Sequence, residues 1–230
     1  MKKEREEFKL DNPVWYSLSE THNKFSIEYN GIKFYQPDYC PFGGYVDSDL
    51  AKSGIDAYAQ IVNNFYVVGD LPVFTDNVQL KKELVCNQMI LSKPIDITIS
   101  EKIEELKTVN QKNDLFDLVN LVQPGYFKSK TPDLGSYYGI YNDNRLVAVA
   151  GERMKMNEYT EVSAVVTHPE YLGKGYAKQL VAFTSNKIFK EGKVPYLHVA
   201  ESNTGAIKLY EKLGYLKRRE ISFWNFICSL

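Results

Sequence analysis

The sequence is poor in the residues that build metal centres and disulfide frameworks. Its three cysteines, Cys40, Cys86 and Cys228, are odd in number and show no Cys-x-x-Cys spacing. Reduced thiols of a cytoplasmic protein account for them most simply. The three histidines, His22, His168 and His198, stand at no ligand spacing with one another or with the cysteines, so no metal is expected. No apolar run approaches the roughly 20 residues that a bilayer span requires. The start, Met1-Lys2-Lys3-Glu4-Arg5-Glu6-Glu7, is charged and lacks the apolar stretch of a secretory leader. Neither sign of charge is in surplus. With 28 Lys and Arg against 29 Asp and Glu the net charge is −1, which gives nucleic acid no reason to bind and gives no hint of a basic peptide or a polyamine. No internal repeat is visible. These absences predict a cytoplasmic protein without metal, nucleic acid or membrane; monomer and homodimer both stay open.

What remains is an ordinary globular composition, 44% hydrophobic and 25% charged over 230 residues. That length suits one large domain or two small ones. Aromatics reach 13%, with 17 tyrosines, residues that pack by the ring and keep a polar tip for a pocket. In the first third, Asn12-Pro13 reads as an N-cap with proline at the first helical position, the helix running to His22 or Lys24. Phe25 to Tyr29 and Ile32 to Tyr35 read as a hairpin across Asn30-Gly31. Pro37 to Gly44 reads as a loop, and the aromatic-rich stretch Tyr35–Tyr45 around it as one that packs or lines a substrate cleft. Asp49 to Val62 reads as a helix, and 65–69 and 84–91 as strands. A composition shift at Lys93-Pro94 divides the chain into an N-terminal α/β module, 1–94, and a second module, 95–230. The second opens with a strand at 95–99. Helical spacing follows at 103–109 and 115–122, then strands at 135–141 and 145–151 across a polar Asn142-Asp143-Asn144 turn.

The most informative stretch runs from Val162 to Gly214. An apolar strand, 162–166, enters the turn His168-Pro169-Glu170-Tyr171-Leu172-Gly173-Lys174-Gly175-Tyr176-Ala177. A helix follows, then a strand at 194–200 and a helix at 203–213. Gly173 and Gly175 allow a sharp bend and close approach of a ligand to the backbone. Their amides, with those of Lys174, Tyr176 and Ala177, start a helix whose first N–H groups have no internal partner and whose dipole favours an anion. Lys174 either adds a charge or points into water. A plain strand-to-helix turn with no ligand is the alternative.

This order of elements resembles the GNAT superfamily of acetyl-CoA-dependent N-acetyltransferases. Leu172-Gly173-Lys174-Gly175-Tyr176-Ala177 stands where the family has Arg/Gln-x-x-Gly-x-Gly/Ala; Gly175 and Ala177 match and Leu172 departs. Asn203, Ala206 and Tyr210, followed by Leu213-Gly214-Tyr215, resemble the family's asparagine, tyrosine and Leu-Gly-Phe ending. The resemblance covers roughly residues 96–230 by element order. It implies an α/β fold with a mixed sheet in the C-terminal part, the N-terminal module being open to reading as a diverged copy. It implies acetyl-CoA as co-substrate, bound by Val165 and Val166 of the strand, by the 172–177 turn and by Asn203.

The implied reaction is direct attack of an amine on the acetyl thioester. An amine of pKa about 10 must first lose a proton. Glu161 is the candidate base, at the spacing from Gly175 of the glutamate in the histone-acetylating branch; an exposed strand-edge charge is the other reading. Glu152, Glu201 and His198 stand in reserve. Tyr210 stands where the family's general acid stands, or is a core tyrosine. Asn203 holds the pantetheine arm or caps its own helix. A backbone N–H of the 162–166 strand would polarise the thioester carbonyl. The acceptor, a small-molecule or peptide amine, leaves no trace in the sequence. A dinucleotide-binding unit is disfavoured, because position 178 is Lys and only 29 residues follow Glu201. A non-catalytic acyl-CoA-binding module that keeps the fold is the remaining alternative.

Overall fold

The computed structural model describes residues 6–229; the charged start read as carrying no leader lies largely outside them, at 1–5. Helix α1 (Pro13–Ser19) starts as the sequence dictates, with the Asn12 side chain accepting from the Trp15 amide at 3.4 Å and proline in the first turn. It ends before His22, earlier than its pattern suggests. Strands β1 (Ser26–Tyr29) and β2 (Ile32–Tyr35) pair antiparallel through the Asn30-Gly31 turn, where Gly31 takes φ +76°.

The expected loop 37–44 is overturned in part: Phe42–Tyr45 is a strand, β3, beside β2. Its two glycines serve packing. A Cβ on Gly43 would stand 2.3 Å from the Phe34 ring. Asp47 caps α2 (Ser48–Ala59), whose Tyr58 stacks on Phe34 at 3.9 Å between centroids. Then come β4 (Asn64–Val68) and the long β5 (Val78–Ile90).

The stretch 95–99 corrects the sequence reading, for it is not a strand. The main chain of Ile95 is satisfied by a side chain of a later helix: its amide donates to Asn186 Oδ1 at 2.9 Å and its carbonyl accepts from Asn186 Nδ2 at 2.8 Å. The helix expected at 103–109 is also absent. A short strand β6 (Glu104–Glu105) precedes a single helix α3 (Val109–Val122), started by a capping box between Thr108 and Gln111. Next are β7 (Tyr137–Asn142), β8 (Arg145–Lys155), β9 (Tyr159–Thr167), α4 (Tyr176–Lys190), β10 (Val194–Ala200), α5 (Thr204–Lys212) and β11 (Leu216–Cys228).

All eleven strands form one mixed sheet, ordered β1-β2-β3-β4-β11-β5-β10-β9-β8-β7-β6. The last strand of the chain is inserted between β4 and β5, and β5 also pairs with β10. The sheet therefore runs across residue 94, with strands of the first stretch bonded to strands of the second. Side chains alternate along β10. Tyr196 packs on the face with α1, while Leu197 and Val199 pack on the face with Tyr210 of α5 and Val181 of α4. Helix α3 packs through Leu115, Leu118 and Val119 near β7, β8 and β9. No helix among the described residues is long and apolar enough to cross a membrane.

Candidate active site

β9 and β10 pair in parallel only from Tyr159↔Val194 to Glu161↔Tyr196. Beyond Glu161 they part. On its other side, β9 loses register with β8 between Ser163 and Val166, and Ala164 takes φ +51°, a left-handed conformation that side chains disfavour. The bulge bends β9 away from β10 and releases main-chain groups at 164–165 from the ladder. A cavity of about 180 Å³ opens at the split. It reaches both faces of the sheet, since His198 and Val199, neighbours pointing opposite ways, both line it.

One side of the cavity belongs to α5. Asn203 caps this helix, its Oδ1 accepting from the Ala206 amide at 3.1 Å, which leaves its Nδ2 free to face the cavity. Two turns on, Tyr210 lines the cavity and is 7% exposed, and burial raises its phenol above the usual range. Val165 lines the cavity too. Val166 does not: it is buried against the α3 cluster.

The glycine turn lies outside the cavity, at the exposed start of α4. Gly173 and Gly175 take φ +79° and +76°, and a Cβ on either would meet nothing within 4 Å. Both therefore serve backbone conformation and access. The amides of Gly173, Lys174, Gly175, Tyr176 and Ala177 find no partner in the backbone around them. Gly175 is the N-cap and offers no side-chain oxygen. Leu172 is 65% exposed, Tyr176 is buried, and the Lys174 ammonium stands over the Tyr171 ring at 4.7 Å. The turn can hold an anion on backbone donors alone.

The expected base, Glu161, is 1% exposed and fully engaged. Its oxygens accept from Arg153 Nε and Nη2, both at 2.8 Å, and from His198 Nδ1 at 2.9 Å. Burial alone would raise its pKa; the Arg153 charge and hydrogen bonds, with the His198 contact, outweigh burial and hold it at about 2. The Arg153 and His198 contacts thus favour the ionised form of Glu161, which lines the cavity. Gln88, itself buried, fixes the histidine tautomer. Its amide nitrogen, Nε2, lies 2.7 Å from the Leu10 carbonyl and 3.1 Å from His198 Nε2, while its oxygen accepts from Arg218. The amide must donate on the Leu10 side, so His198 Nε2 accepts and Nδ1 carries the proton toward Glu161.

The reserves fare differently. His198 lines the cavity. Glu152 is buried away from it and bonds Lys155 Nζ at 2.6 Å. Glu201 is exposed and does not line the cavity. Sequence reasoning missed Arg153, Ala164, Tyr126 and Phe223; of the aromatic wall only Phe42 fell in a stretch read as packing or lining a cleft. Arg153 left a signal too, as a basic residue across a hairpin from an acid. No group of His, Cys, Asp and Glu able to hold a metal ion occurs among the described residues.

Comparison with known proteins follows the same lines. The FR47-like protein family matches residues 137–224, the span from β7 into β11. A crystal structure from Novosphingobium aromaticivorans, of a protein described as an acetyltransferase of the GNAT family, is 31% identical; the match covers 96% of this chain and 99% of that one, with a TM-score of 0.87. The chain belongs to the GNAT superfamily. Two more distant structures share the GNAT fold. A GCN5-related N-acetyltransferase from Kribbella flavida is 11% identical, with 99% and 97% of the two chains covered and a TM-score of 0.63. A GCN5-related N-acetyltransferase-like protein from Streptococcus suis is 16% identical, with 96% of each chain covered and a TM-score of 0.62. No curated protein matches the chain. Membership of the GNAT superfamily supports acetyl transfer as the general chemistry of the chain.

Proposed function

We propose that this GNAT protein is an N-acetyltransferase that moves the acetyl group of acetyl-CoA to an amine by direct attack. The observation that carries the reading is the split of β9 and β10. It opens a passage from the α5 side of the sheet to the other, with Tyr210 and Asn203 on it and the unpartnered amides of the glycine turn beside it. The turn binds the pyrophosphate through the backbone amides of Gly173 to Ala177 and the α4 dipole. Leu172 adds no charge, and the Lys174 ammonium stays at the rim. Asn203 Nδ2 and Val165 hold the pantetheine arm, while Val166 packs away from it toward α3. An amide freed by the bulge polarises the thioester carbonyl.

In the reaction the amine lone pair attacks the carbonyl carbon, the C–S bond breaks, and CoA leaves as thiolate. Tyr210 donates a hydrogen bond to that sulfur. Full proton transfer from a phenol to a thiolate, whose thiol has a pKa of about 8.5, runs uphill. Stabilisation of the leaving anion is therefore its main contribution. An alkylammonium gives one proton to water before attack, and the nitrogen gives up a second, to water or to the departing thiolate, once the C–N bond has formed. Transfer from an alkylammonium of pKa about 10 to a carboxylate at about 2 would cost on the order of 11 kcal/mol. Glu161 instead holds Arg153 and His198 in place at the cavity wall.

The first stretch of the chain, 1–94, shapes the acceptor side, a role supported by Phe42, Leu84 and Cys86 in the cavity wall. All three cysteines are free and two are buried, which supports a reducing, cytoplasmic compartment. The test is calorimetric titration with acetyl-CoA, followed by thiol release in the presence of amines. Binding and amine-dependent thiol release are expected. Binding without release to any amine would favour the non-catalytic module, and no binding would remove acetyl-CoA from the reading.

A further inference from the structure

The half of the cavity away from α5 carries chemistry that the transfer step does not use. Phe42 from β3, Tyr126 and Phe127 from the turn after α3, and Phe223 from β11 form its walls. Phe42 meets Phe223 edge-on at 5.2 Å, and the Arg153 guanidinium lies over the Phe42 ring at 4.7 Å. Arg153 spends two of its five N–H donors on Glu161. The other three meet no hydrogen-bond acceptor among the described residues, although the side chain is only 13% exposed and lines the cavity.

Three consequences follow for whatever binds there. Arg153 and Glu161 are the only charged side chains in the lining, and each cancels the other. No free anion is present to hold an ammonium group, and the guanidinium on Phe42 already occupies the ring face that could have attracted one. A polyamine or a lysine-rich peptide therefore finds no partner. The aromatic walls suit a flat or bulky apolar body. The idle guanidinium donors require an oxygen, since a polar ligand group that leaves them unpaired loses affinity. A neutral oxygen fits better than a carboxylate, which would bring an uncompensated charge into a buried site whose cation is already paired.

Resting on the acetyl-transfer reading, we propose that Arg153 orients the acceptor by a carbonyl oxygen, and that the acceptor is an amine with an aromatic or bulky apolar body and no second charge. Amides of aromatic amino acids and peptides that begin with an aromatic residue are of this class. Arg153 is then the specificity-determining residue of the acceptor half.

The experiment uses the full chain, acetyl-CoA and four amines: phenylalanine amide, phenylalanine, phenethylamine and spermidine. Phenylalanine amide is expected to give the highest kcat/KM, at least tenfold above phenethylamine, which lacks the oxygen, and further above spermidine. Spermidine or phenethylamine equal to the amide would overturn the proposal, as would a tenfold preference for phenylalanine. Transfer to none of the four also overturns it, and the separate titration with acetyl-CoA then tells whether the acetyl-transfer reading falls too. Arg153→Lys keeps the charge opposite Glu161 and removes the planar fork. It is expected to raise KM for phenylalanine amide tenfold or more while leaving KM for phenethylamine in place. A variant that folds, even with a lowered thermal midpoint, and keeps the wild-type preference between the two amines refutes the role of Arg153.

Discussion

Replacing Glu161 with Gln tests the buried ion pair most directly. The substitution keeps size and an acceptor oxygen but removes the charge that Arg153 and His198 face. The Glu161 carboxyl falls from an ordinary 4.5 to about 2 in the folded chain. At about 1.36 kcal/mol per unit of pKa, that fall corresponds to about 3 kcal/mol of stability. The sign is fixed by linkage. The folded pKa is depressed, so the contribution is complete above the unfolded value and is lost as pH falls from near 4.5 toward 2. Glu161→Gln should therefore cost about 3–5 kcal/mol at pH 7, where it leaves a buried guanidinium without its counter-charge. The gap to the wild type should close as the pH approaches 2. The assay is urea unfolding followed by tryptophan fluorescence, run on both proteins at pH 7, 5, 4 and 3. Using the difference between them cancels the many other carboxyl groups. A cost under about 1 kcal/mol at pH 7, or a gap that does not change with pH, would refute the ion-pair argument.

Other changes probe the transfer side. Gly175→Ala should lower acetyl-CoA affinity at least tenfold and cost only about 1–2 kcal/mol of stability from the positive φ, read by titration and thermal unfolding. Tyr210→Phe should reduce kcat by about 10²-fold or more while acetyl-CoA binds as before; an unchanged kcat removes the tyrosine from the mechanism. Leu172→Arg should tighten acetyl-CoA binding a few-fold, with an effect that fades as salt is raised. Ala164→Val, a β-branched residue forced to φ +51°, should cost about 2 kcal/mol and slow transfer, whereas Ala164→Gly should leave transfer unchanged.

Local signals were legible in the sequence because their partners lie within a few residues. Asn12 and Asn203 cap the helices that follow them, Asn30-Gly31 turns its hairpin, and the two glycines before α4 take positive φ. Signals that depend on distant partners were not legible. Ile95 to Ile99 alternates like a strand, yet the main chain of Ile95 is answered by Asn186 from α4. Gly43 and Gly44 read as loop residues because what needs the space, the Phe34 ring at Gly43 and the start of α1 at Gly44, lies elsewhere in the chain. Glu161 showed its position but not its state, since Arg153 and His198 come from two different neighbouring strands. A carboxylate in a strand looks the same in the letters whether it is a free base or a buried counter-ion.

The same contrast separates the two halves of the site. The cofactor half, from Val162 to Tyr210, is one continuous stretch, and its order of elements could be recognised. The acceptor half is assembled by the sheet. Insertion of β11 between β4 and β5 sets Phe223 beside Phe42, bringing residues from the two ends of the chain into one wall. β5 contributes Leu84 and Cys86 to the same cavity, and its Gln88 holds His198 against Glu161. On the proposed reading, acceptor choice is thus a property of the completed sheet rather than of any motif. Changes in β3, β5 or β11 can alter the acceptor while the glycine turn, Asn203 and Tyr210 remain as they are.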